Sequence, residues 1–434
     1  MTRSQWPGNG PRTARAAPPP HPGGPGLGRT STAAATWALF AGVGLVSLGN
    51  GLTGAVVGLR AQAEGFGPTV SGLVMACYFA GFLFGTRYVE YALARVGHIR
   101  VFAALASTAS SVVLVQVLWI SPWSWALLRM LFGLCLAGLY VNVESWLNDL
   151  ATNQTRGRIL AVYMVVSMGA IGAGQGLVNL GEVGGFALFA GASVLVSMAL
   201  VPVTLSATSS PPAGVPTPLR FRELAGVAPT GMLTSFLVGN AVGILIGLGA
   251  VYGAAKGMTD GEVSLFISAP MAGAVILQFP IGRLSDRVSR RGVMLVVAIV
   301  GSIAAMVMAV VDLPSGVSVA LMVVLGGSIY PLYSLAIAYT NDWLDQSQML
   351  GASALLVRIN GTGAVVGPFV VAPLLILGLS LFFWSMAIAL GIIALVLGQR
   401  IVARDPVPVE DQSTFEVFPG RGSRMAVRLL ARKR

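Results

Sequence analysis

A few charged side chains stand inside long apolar segments, where a charge is expensive and is therefore a candidate for chemistry. Arg129 and Glu144 fall in one such segment, and Arg358 falls in a later one. On insertion scales, a charge at the centre of a membrane helix costs at least about 2.5 kcal/mol. A buried carboxyl can change protonation with its surroundings, and a guanidinium can bind an anion. We expect Glu144 to serve coupling or gating or to form a structural pair, and Arg358 to anchor substrate, gate or pair.

Polar amides and phenols in the same apolar segments are further candidates. The amides predict either packing hydrogen bonds or the lining of a cavity, and they are Asn50, Gln175, Asn240 and Gln278. The phenols are typical of packing or of stacking walls around a solute, and they are Tyr78, Tyr140, Tyr163 and Tyr333.

The elements that position these residues are predicted to be membrane-spanning helices. Hydrophobic residues make up 55% of the chain and charged residues 10%, against about 25% charged in a soluble domain. Apolar stretches of the roughly 20 residues that a bilayer requires recur from Thr36 to Leu397. We predict an all-α polytopic membrane protein with twelve spans near 34–58, 70–93, 101–120, 123–147, 158–180, 184–204, 229–253, 261–281, 292–311, 317–340, 351–374 and 378–400.

An internal repeat divides the chain into two pseudo-symmetric six-helix bundles. At an offset of 193 residues, Leu139-Tyr140 matches Leu332-Tyr333, Asn148-Asp149 matches Asn341-Asp342, and Gly174 matches Gly367. Duplicated halves are typical of secondary transporters with a site at the repeat interface. The predicted organisation is a disordered tail at 1–32, bundles at 33–204 and 229–400, a connecting loop at 205–228, and a basic tail at 401–434.

The distribution of positive charge predicts the orientation. Of 27 Lys and Arg residues, Arg60 and Lys256 fall on one side and Arg87, Arg129 and Arg358 fall within spans, which leaves 22 on the other side. Because basic residues concentrate in the cytoplasm, we predict a multi-pass inner-membrane protein with both termini cytoplasmic. This distribution explains the net charge of +11 by membrane topology, so the charge is not taken as a sign of nucleic-acid binding.

Several function classes find no support in the residues. Cys77 and Cys135 lie apart in apolar segments, and His21 and His98 lie outside the spans, so no metal site is expected. The chain contains no Gly-x-x-x-x-Gly-Lys-[Ser/Thr] phosphate loop, which disfavours ATP-driven transport. Without paired carboxylates or a nucleophile and base, we expect no enzyme activity and no cofactor.

The loop after the eighth span carries a family resemblance. It reads Gly-Arg-Leu-Ser-Asp-Arg-Val-Ser-Arg-Arg from Gly282 to Arg291, and it resembles the loop motif of the major facilitator superfamily except at Ser289, where the family has glycine. The equivalent first-half loop is degenerate, with Ala94 in the acidic position. The resemblance implies the superfamily fold and a conformational latch in which Asp286 lies beside the start of the fifth helix. The alternative is that the arginines are only topology signals. The gating candidates are Gly282, Arg283, Asp286, Arg287 and Arg290.

Further motifs extend the resemblance from Thr36 to Gln399. Arg129-x-x-x-Gly133-x-Cys135 resembles a superfamily motif linked to proton coupling, with Cys135 in place of a glycine. Asn142-Val143-Glu144-Ser145 and the run from Gln278 to Leu284 look like the YcaD-like branch of bacterial facilitators.

The resulting expectation is a secondary transporter that moves a small organic solute by alternating access, with proton coupling and export favoured. Uptake by symport or facilitated diffusion is one alternative, and a non-transporting membrane sensor on the same fold is another. The expected partners are the solute, protons and the lipid bilayer, with the chain as a monomer. In this scheme Glu144 changes protonation, while Arg129 or Arg358 biases its charge or holds an anionic substrate.

Overall fold

The computed structural model describes residues 29–150, 155–205, 221–344 and 346–403. Within these ranges it contains twelve helices long and apolar enough to cross a membrane, which confirms the predicted architecture. We label them α1 (Arg29–Ala63), α2 (Gly67–Val96), α3 (His98–Leu118), α4 (Pro122–Leu150), α5 (Arg156–Gly176), α6 (Ala187–Leu205), α7 (Pro229–Ala255), α8 (Asp260–Ser285), α9 (Arg290–Val310), α10 (Ser315–Asn341), α11 (Gln346–Leu374) and α12 (Leu381–Ala403).

The predicted tails and connecting loop fall largely outside the described residues, at 1–28, 206–220 and 404–434. At their edges, α1 already begins at Arg29, and a short helix occupies Phe221–Val227 before α7. A 3₁₀ turn at Leu177–Leu180 extends the end of α5.

Glycines allow the helices of each half to approach closely, and they do so in the same pattern in both halves. In the first half, a Cβ at Gly81 of α2 would overlap the backbone of α4, and one at Gly174 of α5 would overlap the backbone of α1. The second half repeats this with Gly273 of α8 against α10 and Gly363 of α11 against α7. Close backbone approach is the main source of helix association in lipid. The packing therefore supports the pseudo-symmetry that the sequence repeat predicts.

The two ends of the bundle differ in how the halves meet. We call the side on which α1 begins the start side and the opposite side the far side. The halves meet through α1 and α2 against α7, α2 against α11, and α5 against α8. On the far side, a Cβ at Gly72 of α2 would lie 2.6 Å from Cβ of Ala372 on α11, and one at Gly58 of α1 would lie 2.8 Å from Cβ of Ala250 on α7. These contacts form a tight seam.

Hydrogen bonds between α5 and α8 close the same seam. Ser264 donates to the carbonyl oxygen of Gln175 at 3.1 Å, and the Asn179 amide donates to the Ser264 hydroxyl at 3.2 Å. The described residues thus hold the far side of the molecule shut.

Candidate functional site

The site is organised by one face of α4. Arg129, Tyr140 and Glu144 recur at helical spacing along it, and their side chains are buried, with exposures of 3%, 2% and 1%. Arg129 lies toward the far side and Glu144 toward the start side. Fifteen residues of helix separate these two charges by about 22 Å. At this separation Arg129 is not a close partner of Glu144, and Glu144 takes its environment from other residues.

Glu144 is held by the neighbouring helix and faces the other half. The Tyr163 hydroxyl of α5 donates to Oε1 of Glu144 at 2.8 Å. Tyr333 of α10 is buried within electrostatic reach of the same carboxyl. The carboxyl therefore lies at a junction of both halves. Tyr163 had been predicted only as a packing residue or a stacking wall, and its hydrogen bond was missed because the sequence gives no partner for a phenol.

Tyr140 connects the centre of α4 to α1. Its hydroxyl lies 3.2 Å from the Ser47 hydroxyl, and the Asn50 amide donates to it at 3.5 Å. The Phe82 ring of α2 lies 6.3 Å from the Tyr140 ring. Two of the predicted residues, Asn50 and Tyr140, are thus brought together beside Glu144.

Arg129 is enclosed by aromatic rings. Its guanidinium carbon lies 5.0 Å from the Tyr78 ring centroid and 5.7 Å from the Phe132 ring centroid. The Tyr78 and Phe132 rings are themselves 6.2 Å apart. We call Arg129, Tyr78 and Phe132 the aromatic cage. It unites two predicted site residues at the far-side end of the α4 face.

The second half contributes Gln278 and its surroundings. The Gln278 amide of α8 donates to the Ser334 hydroxyl of α10 at 3.1 Å, next to Tyr333. A small cleft between α5 and α8 is lined by Met164, Met168, Gln278 and Phe279. Gln278 is therefore placed at the interface of the halves.

Three predicted residues lie outside this cluster. Gln175 is buried at the far end of α5, where its backbone joins the seam. Asn240 is half-buried on α7, with its backbone against Gly363 and Gly367 of α11. Arg358 is exposed on α11 and shares a face with the exposed residues Val366 and Phe369, while Asn360 points its amide to α7. Arg358 thus differs from Arg129 and Glu144, because its side chain is exposed and theirs are buried.

The predicted gating loop forms a buried charge network at the start-side end of α8 and α9. Arg290 donates through Nη1 to both carboxylate oxygens of Asp342 at 2.7 and 2.5 Å, and through Nη2 to Asp286 at 3.4 Å. The Arg290 side chain is 1% exposed and that of Asp342 is 2% exposed. Arg283 and Arg287 are exposed, and Gly282 is buried with its carbonyl accepting from Ser285. Arg290 is therefore a bonded residue of the bundle and not a side chain turned to lipid.

Asp342 was not predicted as a partner, although the repeat marks it. It ends the tenth helix as Asp149 ends the fourth, and this shared position is the signal that could have found it. Arg291 is also buried, with its guanidinium over the rings of Trp343 at 5.4 Å and Tyr339 at 5.7 Å.

On the far side, outside the spans, an exposed ion pair joins two loops of the second half. The Lys256 ammonium lies 2.5 Å from an Asp312 carboxylate oxygen. The hydrogen bond from Lys256 lowers the pKa of the Asp312 carboxyl, and the same bond raises the pKa of Lys256. Both groups therefore stay charged across the neutral range.

Comparisons with known proteins agree with this architecture. The family model described as Major Facilitator Superfamily matches residues 231–433. The MFS-type transporter YcaD of Escherichia coli O45:K1 (strain S88 / ExPEC), a protein described as uncharacterized, is 26% identical over 380 residues, covering 86% of this chain and 97% of that protein. The second half of the chain thus matches this family model, and most of the chain is similar to an MFS-type transporter.

Two solved transporter structures share the fold. The nucleoside transporter NupG superposes with a TM-score of 0.72 at 12% identity, over 84% of this chain and 99% of that one. A bacterial homolog of the human lysosomal transporter Spinster, solved inward-facing and unoccupied, gives 0.65 at 15% identity, over 86% and 96%. The twelve apolar helices and these similarities together support a multi-pass membrane transporter.

Proposed function

We propose that this protein is a secondary transporter that moves a small organic solute across the bacterial inner membrane by alternating access, in exchange for protons. The observation that carries the coupling proposal is the buried Glu144 carboxyl. It is bonded to Tyr163 in its own half, and Tyr333 of the other half is buried within electrostatic range of it. A carboxyl at that junction changes surroundings whenever the halves rock, and a change of surroundings is what moves a proton on or off.

The arrangement of the halves supports alternating access. Their tight contacts form the far-side seam, while Glu144, Tyr163 and Gln278 lie toward the start side. Because 22 of the 27 basic residues belong to the start side, that side is cytoplasmic under the positive-inside rule. The closed far side is then the periplasmic side, and both termini lie in the cytoplasm. Reporter fusions after Arg434 and near Pro216 test this orientation, and a periplasmic signal from either would overturn it.

The start-side latch is part of the same proposal. Antiparallel packing of α5 on α8 pairs Gln175 with Ser264 and Met164 with Gln278. Continued by two further turns, this register brings Asp286 level with the first turn of α5. Because a helix start attracts negative charge, Asp286 contacts it in one conformation and leaves it in the other. A structure of the outward-facing state, in which the start side is closed, with Asp286 away from α5 would contradict the latch.

A proteoliposome screen tests the function directly. The purified protein is reconstituted with a pH-sensitive dye inside, and a library of small organic solutes is applied. The proposal expects at least one solute to drive proton movement, in the direction of solute-for-proton exchange. Solute binding without flux would instead identify a sensor, and flux without proton movement would identify a facilitator.

A further inference from the structure

Arg129 is a buried cation for which the described part of the chain supplies no anion. Its side chain is 3% exposed, and it forms no ion pair and no hydrogen bond as a donor among the described residues. Its Nε and Nη1 atoms are buried without an acceptor. A guanidinium does not give up its proton in proteins. Arg129 therefore keeps its charge, and at least two of its nitrogen atoms, Nε and Nη1, donate no hydrogen bond.

The acidic residues of the first half do not fill this gap. There are five, Glu64, Glu90, Glu144, Asp149 and Glu182. Glu64 is paired with Arg60 at 2.6 Å, and Glu144 lies about 22 Å away along α4. Glu90 is six turns along α2 from its far-side end, Asp149 lies at the start-side end of α4, and Glu182 is an exposed loop residue. The rings of Tyr78 and Phe132, which are tilted relative to each other, offset part of the charge but accept none of its N–H groups.

The aromatic cage lies directly behind the seam. Tyr78 is followed by Phe79, whose ring lies 5.2 Å from the Tyr78 ring. The Phe79 ring covers α7, where a Cβ at Gly247 would lie 3.2 Å from it. When the far side opens, α2 parts from α7 and Phe79 loses this contact. The cage is then the first charged feature that a solute meets inside the far side.

We propose that Arg129 binds the anionic group, a carboxylate, of the transported solute in the far-side-open state, with Tyr78 and Phe132 packed on the adjoining planar or apolar part. This inference rests on the proposed transport function and assigns its substrate class as organic anions. The planar guanidinium supplies paired donors to a carboxylate. The cage explains why a cation is retained where no carboxylate of the described residues reaches it.

Thermal unfolding of the purified protein tests the site without requiring transport. Benzoate and neutral benzamide have the same ring and differ in charge. We expect ~10 mM benzoate to raise the Tm of the wild type by about 2 °C or more, because a ligand that binds only the folded state stabilises it. Benzamide leaves the Tm unchanged. The Arg129→Met variant loses the benzoate shift, whereas Arg95→Gln, a change at an exposed arginine bonded to Tyr91, keeps it.

The unliganded Arg129→Met variant supplies the decisive second readout. Because the arginine has no protein acceptor, replacing it with an apolar residue keeps or raises the Tm. A Tm several degrees below the wild type, or failure of this variant to fold, would make Arg129 a structural residue and overturn the proposal. So would a wild type that shows no response to benzoate, or a shift that persists in Arg129→Met.

Flux measurements separate this inference from the transport function itself. If proteoliposomes carry neutral or cationic solutes and Arg129→Met leaves that flux unchanged, the protein is a transporter and the anion site is wrong. If benzoate binds through Arg129 but no solute crosses, the anion site stands and the transport proposal fails.

Discussion

The far-side seam predicts that one added methyl group shifts the protein toward the state in which the far side is open. The substitution is Gly72→Ala on α2. Its new Cβ would lie 2.6 Å from Cβ of Ala372 and 2.8 Å from Cδ2 of Leu248. Carbon atoms settle at about 3.5 to 4.0 Å. The leucine can turn aside, but the Ala372 methyl group cannot, so α2 and α11 must separate by roughly 1 Å.

The cost of this separation sets the size of the effect. Overpacking of this kind costs about 1 to 3 kcal/mol, and it is paid only when the far side is closed. At about 1.4 kcal/mol per tenfold, the ratio of closed to open molecules falls by roughly 5-fold to 150-fold. Gly54→Ala is the matched control, because a Cβ at Gly54 of α1 has no other atom within 4 Å. The gain in helix propensity is the same in both variants and in both conformations.

Labelling from the far side measures the shift. Ala250→Cys on α7 places a thiol under the seam opposite Gly58, in a chain in which Cys77→Ser and Cys135→Ala remove the native thiols. A membrane-impermeant maleimide should label this position at least about fivefold faster with Gly72→Ala than with Gly54→Ala. Equal labelling rates in the two backgrounds would refute the closed far-side seam.

Three further predictions follow from the site. Tyr163→Phe removes the hydrogen-bond donor to Glu144. Since a hydrogen bond to a charged group is worth about 1.5 to 3 kcal/mol, pH-driven flux should fall roughly tenfold or more while downhill exchange persists. Unchanged pH-driven flux would contradict the role of this bond. Asp342→Asn leaves Arg290 buried without its carboxylate and should destabilise the protein by about 3 to 5 kcal/mol, seen as a lower Tm, whereas the double change Arg290→Met with Asp342→Leu should recover most of the loss. The ion pair of Lys256 and Asp312 should remain intact from pH 5 to 9. The lowered pKa of Asp312 means that the pair breaks only in stronger acid, and the raised pKa of Lys256 means that it breaks only in stronger base. Asp312→Asn should therefore leave the pH profile of transport unchanged over that interval, and an altered profile would show that the pair takes part in coupling.

The architecture was predictable because a bilayer imposes length and composition on every span. Runs of about 20 apolar residues give the helix number, and the repeat at Leu139-Tyr140 and Leu332-Tyr333 gives the two halves. The scarcity of charge in the spans gives Glu144 and Arg129 as buried groups. These inferences depend on one segment at a time, which is why sequence alone supports them.

The relations between helices were not predictable in the same way. Hydropathy gives the depth of a residue in the membrane but not the direction in which its side chain points. From the sequence, Arg129 and Arg358 were therefore equivalent candidates. The packing of α2 on α4 buries Arg129, whereas the packing of α11 leaves Arg358 exposed. The bond of Tyr163 to Glu144 and the pair of Arg290 with Asp342 join residues of different helices. Such contacts depend on the rotation of each helix about its axis, which a span of uniformly apolar residues does not specify.

Whether the Glu144 carboxyl couples protons to transport is tested by solute accumulation in proteoliposomes. The accumulation is measured with an imposed pH gradient and compared between the wild type and Glu144→Gln. Glutamine preserves the shape and the bond from Tyr163 but cannot exchange a proton. We expect Glu144→Gln still to exchange solute down its own gradient and no longer to respond to the pH gradient. Accumulation that the pH gradient drives equally well in Glu144→Gln would contradict the claim that this carboxyl couples protons to transport.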